Sequence, residues 1–556
     1  MHFSFSWVEN FSRLRLLRMA SNQSVHSAQS AETDILLTTL NAKYIHAAFG
    51  LRYLHANMLD LQTRTKIVEF DINQKLNDIA ESLLSYRSKI IGFSVYIWNV
   101  EPISKIIGIL KKIRPELIIV VGGPEVSFEI DAQKWIEKVD HVITGEADQS
   151  FYQLCIQLIH PDQKYGNIPK VIVSQLPDVK KLILPYTLYS NQDLHHRIVY
   201  VEASRGCPFT CEFCLSSLDV PVRAFPLDPL LKELDQLFQR GLRHFKFVDR
   251  TFNLNIQTGK SILNFFLDRY ESGLFLHFEM IPDRLPEPLR EIISKFPEGS
   301  IQFEIGIQTF NPDVSNHISR RQNVAKLSDN LIFLRTQTGV HLHVDLIAGL
   351  PGETLESFGK GFDQLVKLNP HEIQIGILKR LRGTPIVRHD AEFEMVYGDS
   401  APYEILKTKD ISFEELQRVK RFARYWDLVG NSGNFVQSVK LFWEESGAPF
   451  DSFMAFSDWL YQSSGRRHGI SLTNLVEYVF EFLTQSASIN PNKAAEILLV
   501  DYQRSGRSDQ PKCLRPYLES KDQEILLSMD SNTQKTKACL KGKNPRHKRQ
   551  QMHQGN

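Results

Sequence analysis

This chain is short of the features that mark secreted or membrane proteins. Six cysteines in 556 residues are too few for a disulfide framework, and three of them crowd into eight positions. That scarcity favours a reducing, cytoplasmic setting. No stretch approaches the roughly 18 apolar residues needed to cross a bilayer. Arg13, Arg15 and Arg18 interrupt the apolar N-terminus, whereas a secretory signal places its charge ahead of an unbroken apolar run. Residues 1–32 read instead as a dispensable, disordered extension, with translation able to start near Met19. Neither sign of charge prevails: 65 Lys and Arg face 64 Asp and Glu, for a net charge of +1. Nothing therefore draws the whole chain toward nucleic acid or an anionic membrane. What is present, 42% hydrophobic and 23% charged residues, suits a globular protein. The length exceeds one core and predicts about two to four domains.

The organising stretch is Ser204-Arg205-Gly206-Cys207-Pro208-Phe209-Thr210-Cys211-Glu212-Phe213-Cys214, directly after a strand-like run from Ile198 to Glu202. Cys207, Cys211 and Cys214 are spaced C-x3-C-x2-C. Three thiolates can hold three corners of a four-iron cluster and leave one iron open to a small molecule. A zinc site is the competing reading, but zinc normally takes a fourth protein ligand, and its usual spacing is two separated pairs. His195 and His196 are the nearest candidates for that fourth position. Three ordinary buried cysteines are the remaining alternative.

Upstream, residues 33–160 alternate short apolar strands with amphipathic helices. Strands are expected at 35–40, 66–70, 90–95, 117–121 and 141–143. Helices are expected over 49–61, from Leu76, over 103–113, and between the last two strands. Five near-continuous apolar strands with helical crossovers predict a doubly wound parallel sheet, which binds ligands beyond the carboxyl ends of its strands. At those ends stand Ser94, Gly122-Gly123-Pro124 and Gly145-Glu146. Residues 161–195, punctuated by prolines, read as a linker. Six further strand–helix units follow over 196–388, with strands expected near 198–202, 244–248, 275–280, 300–305, 341–346 and 372–378. Distinctive polar residues cluster at the carboxyl ends of those strands, where βα barrels carry their active groups. Residues 389–530 turn helical, opening on the capping box Ser412-x-x-Glu415. Trp426, Trp443, Trp459, Tyr461, Phe480 and Phe482 read as helix core. Residues 531–556 hold seven Lys or Arg and no acid, which suits a solvated, disordered tail. Cys155, Cys513 and Cys539 are scattered and read as structural.

The cysteine triplet, with an aromatic residue before its last member, resembles the signature of radical S-adenosylmethionine (SAM) enzymes. The runs Gly306-Ile307-Gln308-Thr309 and Asp345-Leu346-Ile347-Ala348-Gly349-Leu350-Pro351-Gly352 resemble the branch that includes oxygen-independent coproporphyrinogen oxidase. Residues 33–160 resemble the cobalamin-binding domain that precedes many such barrels, and the whole order resembles a family of these proteins ending in a helical domain of unknown function. The resemblance implies a Rossmann-like domain, a partial (β/α)6 barrel and a helical C-terminal domain. It implies a 4Fe-4S cluster on Cys207, Cys211 and Cys214 that cleaves SAM to methionine and a 5′-deoxyadenosyl radical. SAM contacts fall to Phe213, Glu279, Gln308, Arg320 and Asp345, with Arg321 an equally placed alternative to Arg320. Ser94, Gly122 and Gly123 fall beside the nucleotide tail of cobalamin, and an external donor such as flavodoxin or ferredoxin would supply electrons.

One departure matters. The D-x-H-x-x-G motif that donates an axial His to cobalt is replaced by Asn41-Ala42-Lys43-Tyr44-Ile45-His46-Ala47-Ala48-Phe49-Gly50. His46 is therefore expected on a helix surface or at a cap, and a domain that binds no cobalamin stays open. Three functions remain: cobalamin-dependent methylation; methylthio transfer, which usually needs three further N-terminal cysteines where this chain has only Cys155; and a non-catalytic cluster- or cobalamin-binding sensor.

Overall fold

The computed structural model describes residues 33–160, 167–219, 221–504 and 506–518. The N-terminal extension and the basic tail read from the sequence lie outside these described residues.

The first sheet contains β1 (Ile35–Asn41), β2 (Thr65–Asp71), β3 (Ile90–Ser94), β4 (Ile118–Gly122), β5 (His141–Thr144) and β6 (Val171–Val173). Its order is β2-β1-β3-β4-β5-β6, all parallel. All seven residues of β1 are buried, as a strand covered on both faces requires. One face packs on helices Leu76–Ser85 and Val100–Ile113 through Ile79, Leu83, Ile103 and Ile107. The other packs on helices Phe49–Ala56 and Ser150–Ile159 through Leu51, Phe151 and Leu154. Because β1 lies between β2 and β3, the direction of winding reverses there and leaves a crevice at the strand ends.

Three expectations need correction here. The first helix ends at Ala56 and gives way to a 3-10 turn, Leu59–Arg64, instead of running on to residue 61. No full helix joins β4 to β5; short 3-10 turns at Pro124–Val126, Ile130–Ala132 and Lys134–Lys138 do so. The stretch read as a linker supplies β6, whose pattern is exposed–half-buried–exposed because it is an edge strand. Three residues between prolines are too few to show an alternation.

The second sheet is built from β7 (Val199–Val201), β8 (His244–Phe247), β9 (Phe275–Met280), β10 (Ile301–Gln308), β11 (His341–Ala348) and β12 (Glu372–Ile377), all parallel and in chain order. Helices between successive strands complete a partial barrel. The pairing of β10 with β11 slips between Gly306 and Gln308.

The C-terminal region packs helices Phe413–Leu428, Pro449–Ser464, Leu472–Gln485 and Pro491–Arg504. Its core is continuous with that of the barrel. Phe362, on barrel helix Leu355–Leu368, meets Trp426 with ring centroids 4.8 Å apart and Phe422 at 5.1 Å. Trp426, Phe480 and Phe482 are buried, while Trp443, Trp459 and Tyr461 pack against the same core.

The N-terminal sheet joins the barrel with a larger share of charge, beside an aromatic contact of Tyr53 with Phe225. Arg205 donates to Glu146 at 2.8 Å and to Asp148 at 2.9 Å, and Arg223 also pairs with Glu146. Arg52 reaches Asp193 at 3.1 Å, and Arg382 reaches Glu125 at 2.8 Å.

Candidate functional site

The cysteine loop is held from both sides. Gly206 has φ 90°, and a Cβ there would lie 2.7 Å from the Asp219 carbonyl oxygen. Only glycine allows that approach, which lets the Cys207 amide donate to the same carbonyl at 3.0 Å. Glu212, between Cys211 and Phe213, is buried and accepts hydrogen bonds from Arg388 and His389. The Glu212 amide donates to Ile318, and its carbonyl accepts from Ile386. Sequence reasoning did not single out Glu212; its place between two ligand candidates was the available signal.

Cys207, Cys211 and Cys214 line one cavity of about 280 Å³ with Phe213, Glu279, Gln308, Arg320, Arg321 and Asp345. Segments as far apart in sequence as residues 207 and 345 thus meet at the carboxyl ends of the barrel strands. Among the described residues, no group of three or more His, Cys, Asp or Glu is arranged to hold a single metal ion. His195 and His196, the candidates for a fourth zinc ligand, sit on the short helix Asn191–His196 and do not line this cavity. A triplet without a fourth donor fits a cluster with one open iron better than it fits zinc.

The cavity wall carries unused polar capacity. Gln308 adopts φ 74° at the slip between β10 and β11, a conformation that costs about 1–3 kcal/mol for a residue other than glycine. Its Oε1 is buried without a hydrogen-bond partner. Asp345 Oδ1 likewise lacks a well-formed hydrogen bond and keeps only an ion pair with His343 Nε2 at 3.5 Å. Burial pushes the Asp345 carboxyl above its usual range, and His343 only partly opposes this. Glu279 accepts from Arg250 at 3.0 and 3.1 Å, yet burial and the nearby Glu304 still push its carboxyl up. Burial acts the same way on Glu304, but a bond to His277 and the charges of Lys246 and His343 more than offset it and hold it well below the usual range. Acceptors left open in a buried wall suit a ligand with an ammonium and ribose hydroxyls. Arg320 is largely occupied by the protein itself: it donates to the Gly306 and Ile307 carbonyls and approaches Cys211 Sγ at 3.5 Å. Arg321, beside it, is exposed.

Arg250 and His343 are further residues that the sequence reading left unassigned. The alternation His341-x-His343-x-Asp345 places all three on one face of β11 and was the signal for His343.

A second cavity, of about 210 Å³, opens at the crevice of the first sheet and takes in Ser94, Gly122 and Gly123. Leu37, Leu54 and Phe151 make much of its wall apolar, with Tyr96 at the rim of β3. The two glycines do different work. A Cβ on Gly122 would meet only the Ile143 carbonyl oxygen, at 3.5 Å, so a side chain there would take up open space. Gly123 has φ 110°, and its Cβ would strike the Val95 carbonyl oxygen at 2.6 Å. Gly123 is therefore demanded by the turn itself. The apolar slot and the open side of Gly122 fit the flat base of a cobalamin tail. His46 lies apart from this cavity: its Nδ1 shares a 2.6 Å hydrogen bond with the Tyr200 hydroxyl, across the junction with the barrel.

Comparison with known proteins agrees with both cavities. Residues 35–154 match the B12 binding domain and residues 201–365 the radical SAM superfamily. Residues 391–555 match a protein family of unknown function, DUF4080. The chain belongs to the cobalamin-binding radical SAM proteins. An uncharacterized methyltransferase of Pyrococcus horikoshii is 24% identical over 404 residues, covering 67% of this chain and 86% of that protein. The cobalamin-dependent radical SAM methyltransferase TokK of Streptomyces tokunonensis is 24% identical over 331 residues, which is 52% of this chain and 47% of TokK. Among solved structures, the cobalamin-dependent SAM radical enzyme OxsB shares the fold with a TM-score of 0.57 at 14% identity, over 93% of this chain and 83% of that one. Among the described residues no helix is long and apolar enough to cross a membrane.

Proposed function

We propose that this radical SAM protein is a cobalamin-dependent methyltransferase that works in the cytoplasm with an external reductant such as flavodoxin or ferredoxin. The observation that carries the reading is a third cavity, of about 260 Å³, between the other two. It shares Ser216 and Arg250 with the thiol-lined cavity and Glu146 and Arg205 with the apolar one. A substrate there would have both cofactors within reach. When bound, the cluster supplies the electron that cleaves SAM, and cobalamin supplies a transferable methyl group.

The chain's own residues divide the remaining work. Cys207, Cys211 and Cys214 hold the cluster, and Phe213 lies against the adenine. Glu279, Gln308 and Asp345 accept from the ribose and the ammonium, and Arg250 fixes the orientation of Glu279. The carboxylate falls to Arg321 or Arg320; the free guanidinium of Arg321 favours it. Ser94, Gly122 and Gly123 border the cobalamin tail. Arg205, seated over the rings of Tyr53 and Phe225 at 4.4 and 5.6 Å, closes the junction against water. Glu202 beside it is buried, which pushes its carboxyl up to about 7. We assign these roles to units near 33–160 and 196–388, and leave the helical unit near 389–530 a supporting one.

The test is anaerobic turnover with methyl-deuterated SAM, followed by mass spectrometry. Two SAM molecules are expected to be consumed per turnover, one leaving S-adenosylhomocysteine with its deuterated methyl group on the acceptor, the other leaving methionine and 5′-deoxyadenosine. 5′-Deoxyadenosine without S-adenosylhomocysteine would argue for radical chemistry independent of cobalamin, and no SAM cleavage at all would favour a sensor. Methylthio transfer has no support in the N-terminal domain, where Cys155 is buried in helix Ser150–Ile159.

A further inference from the structure

At the opposite end of the barrel, beside the amino ends of β11 and β12, a cavity of about 760 Å³ separates the barrel from the helical region. Arg335, Lys367 and Lys440 stand in its wall, and no carboxylate lines it; His371, also in the wall, accepts the Leu342 amide on its Nδ1. Three cations gathered in a concave wall that itself holds no carboxylate attract an anion, although Arg335 feels Glu298 and Lys367 feels Asp363 from outside it. Burial pulls the Arg335 guanidinium below its ordinary range, and Glu298 offsets only part of that. Two tryptophans complete the wall. Trp443 is partly buried, with its ring centroid 6.3 Å from that of Trp426. Trp426 is 5% exposed, and its Nε1 has no hydrogen-bond partner. A buried N–H without an acceptor is uncommon in a finished core and calls for one from a ligand.

We propose that this cavity binds an organic phosphate, a molecule joining a phosphate group to a flat ring as a mononucleotide does. The cations take the phosphate, and the tryptophans take the ring and offer it an N–H. The site lies on the far side of the sheet from the thiols, so it serves recognition or control and does not house the reaction. The inference is independent of the methyltransferase reading.

Binding is measured on the full chain, reconstituted anaerobically and saturated with SAM so that the adenosine-accepting cavity is filled. Guanosine 5′-monophosphate, guanosine and inorganic phosphate are the probes, followed by calorimetry and tryptophan fluorescence. Guanosine 5′-monophosphate should bind in the micromolar range and quench the fluorescence, more weakly as salt is added. Arg335→Glu and Lys440→Glu should each weaken it by about tenfold or more. Lys326→Glu, an equal charge change at an exposed site in the first turn of helix Val324–Gln337, whose last turn carries Arg335, should leave it unchanged. Should Arg335→Glu fail to fold, exposed Lys440 carries the same test. Three results would each overturn the proposal: no binding at millimolar nucleotide, guanosine binding as tightly as its phosphate, or affinity untouched by both cavity variants.

Discussion

The thiol-lined cavity of the barrel and the apolar cavity of the first sheet invite comparison, because each is shaped by a different kind of constraint. In the first, buried acceptors on Gln308 and Asp345 lack hydrogen-bond donors, Asp345 keeping only an ion pair with His343, and the backbone at Gln308 is strained. In the second, the wall is Leu37, Leu54 and Phe151 with glycines between them, and what matters is room. The first is specified by chemistry and the second by shape, so substitutions should damage them in different ways.

The largest effect should come from the thiols. Replacing Cys207, Cys211 or Cys214 with Ala should abolish the roughly four irons and four sulfides bound after reconstitution. Cys155→Ala should not, since that thiol is buried in the other domain. Stoichiometric zinc without sulfide in native protein would break the comparison at its root.

Next come the open acceptors. Asp345→Ala and Gln308→Ala should each weaken SAM binding about tenfold to a hundredfold, the loss of one charge-assisted hydrogen bond worth about 1.5–3 kcal/mol. Iron content should stay intact in both. Calorimetry showing unchanged SAM affinity in both would remove them from the site.

The apolar cavity should respond to bulk. Gly122→Val fills open space and should block cobalamin uptake while leaving cluster and fold alone. Gly123→Val should act on stability instead, because its Cβ meets the Val95 carbonyl; a positive-φ strain of about 1–3 kcal/mol is expected. Cobalamin stoichiometry and thermal unfolding, read side by side, separate the two. Loss of cobalamin in neither variant would show that the cavity is not its site.

The smallest effect belongs to His46. With its ring tied to Tyr200, His46→Ala should lower stability by about 1 kcal/mol and leave the cobalamin spectrum nearly unchanged. A large spectral shift would make His46 an axial ligand.

Much of this was readable along the chain, for identifiable reasons. Strand runs such as Ile118–Gly122 are short and continuously apolar, so they announce a sheet covered on both faces. The cysteine spacing and the Asp345 run are local, and local patterns survive in sequence. The edge strand Val171–Val173 was missed because an exposed three-residue strand carries no periodicity. Glycine at 122 and 123 looked alike in sequence; only the neighbouring backbone separates them.

By itself, the sequence determined the alternation of strands and helices in the two parallel sheets, apart from the edge strand β6 and the β4–β5 connection, and it determined the thiol triplet, because these rest on periodicity and short-range spacing. Tertiary structure alone decided that Glu146 and Arg205 would meet, that Arg250 would face both Glu279 and the junction, and that His46 would bind Tyr200 outside the cavity of the first sheet. Each of those pairings joins residues far apart in the chain, and its energy exists only once the sheets have packed and their charges have left water.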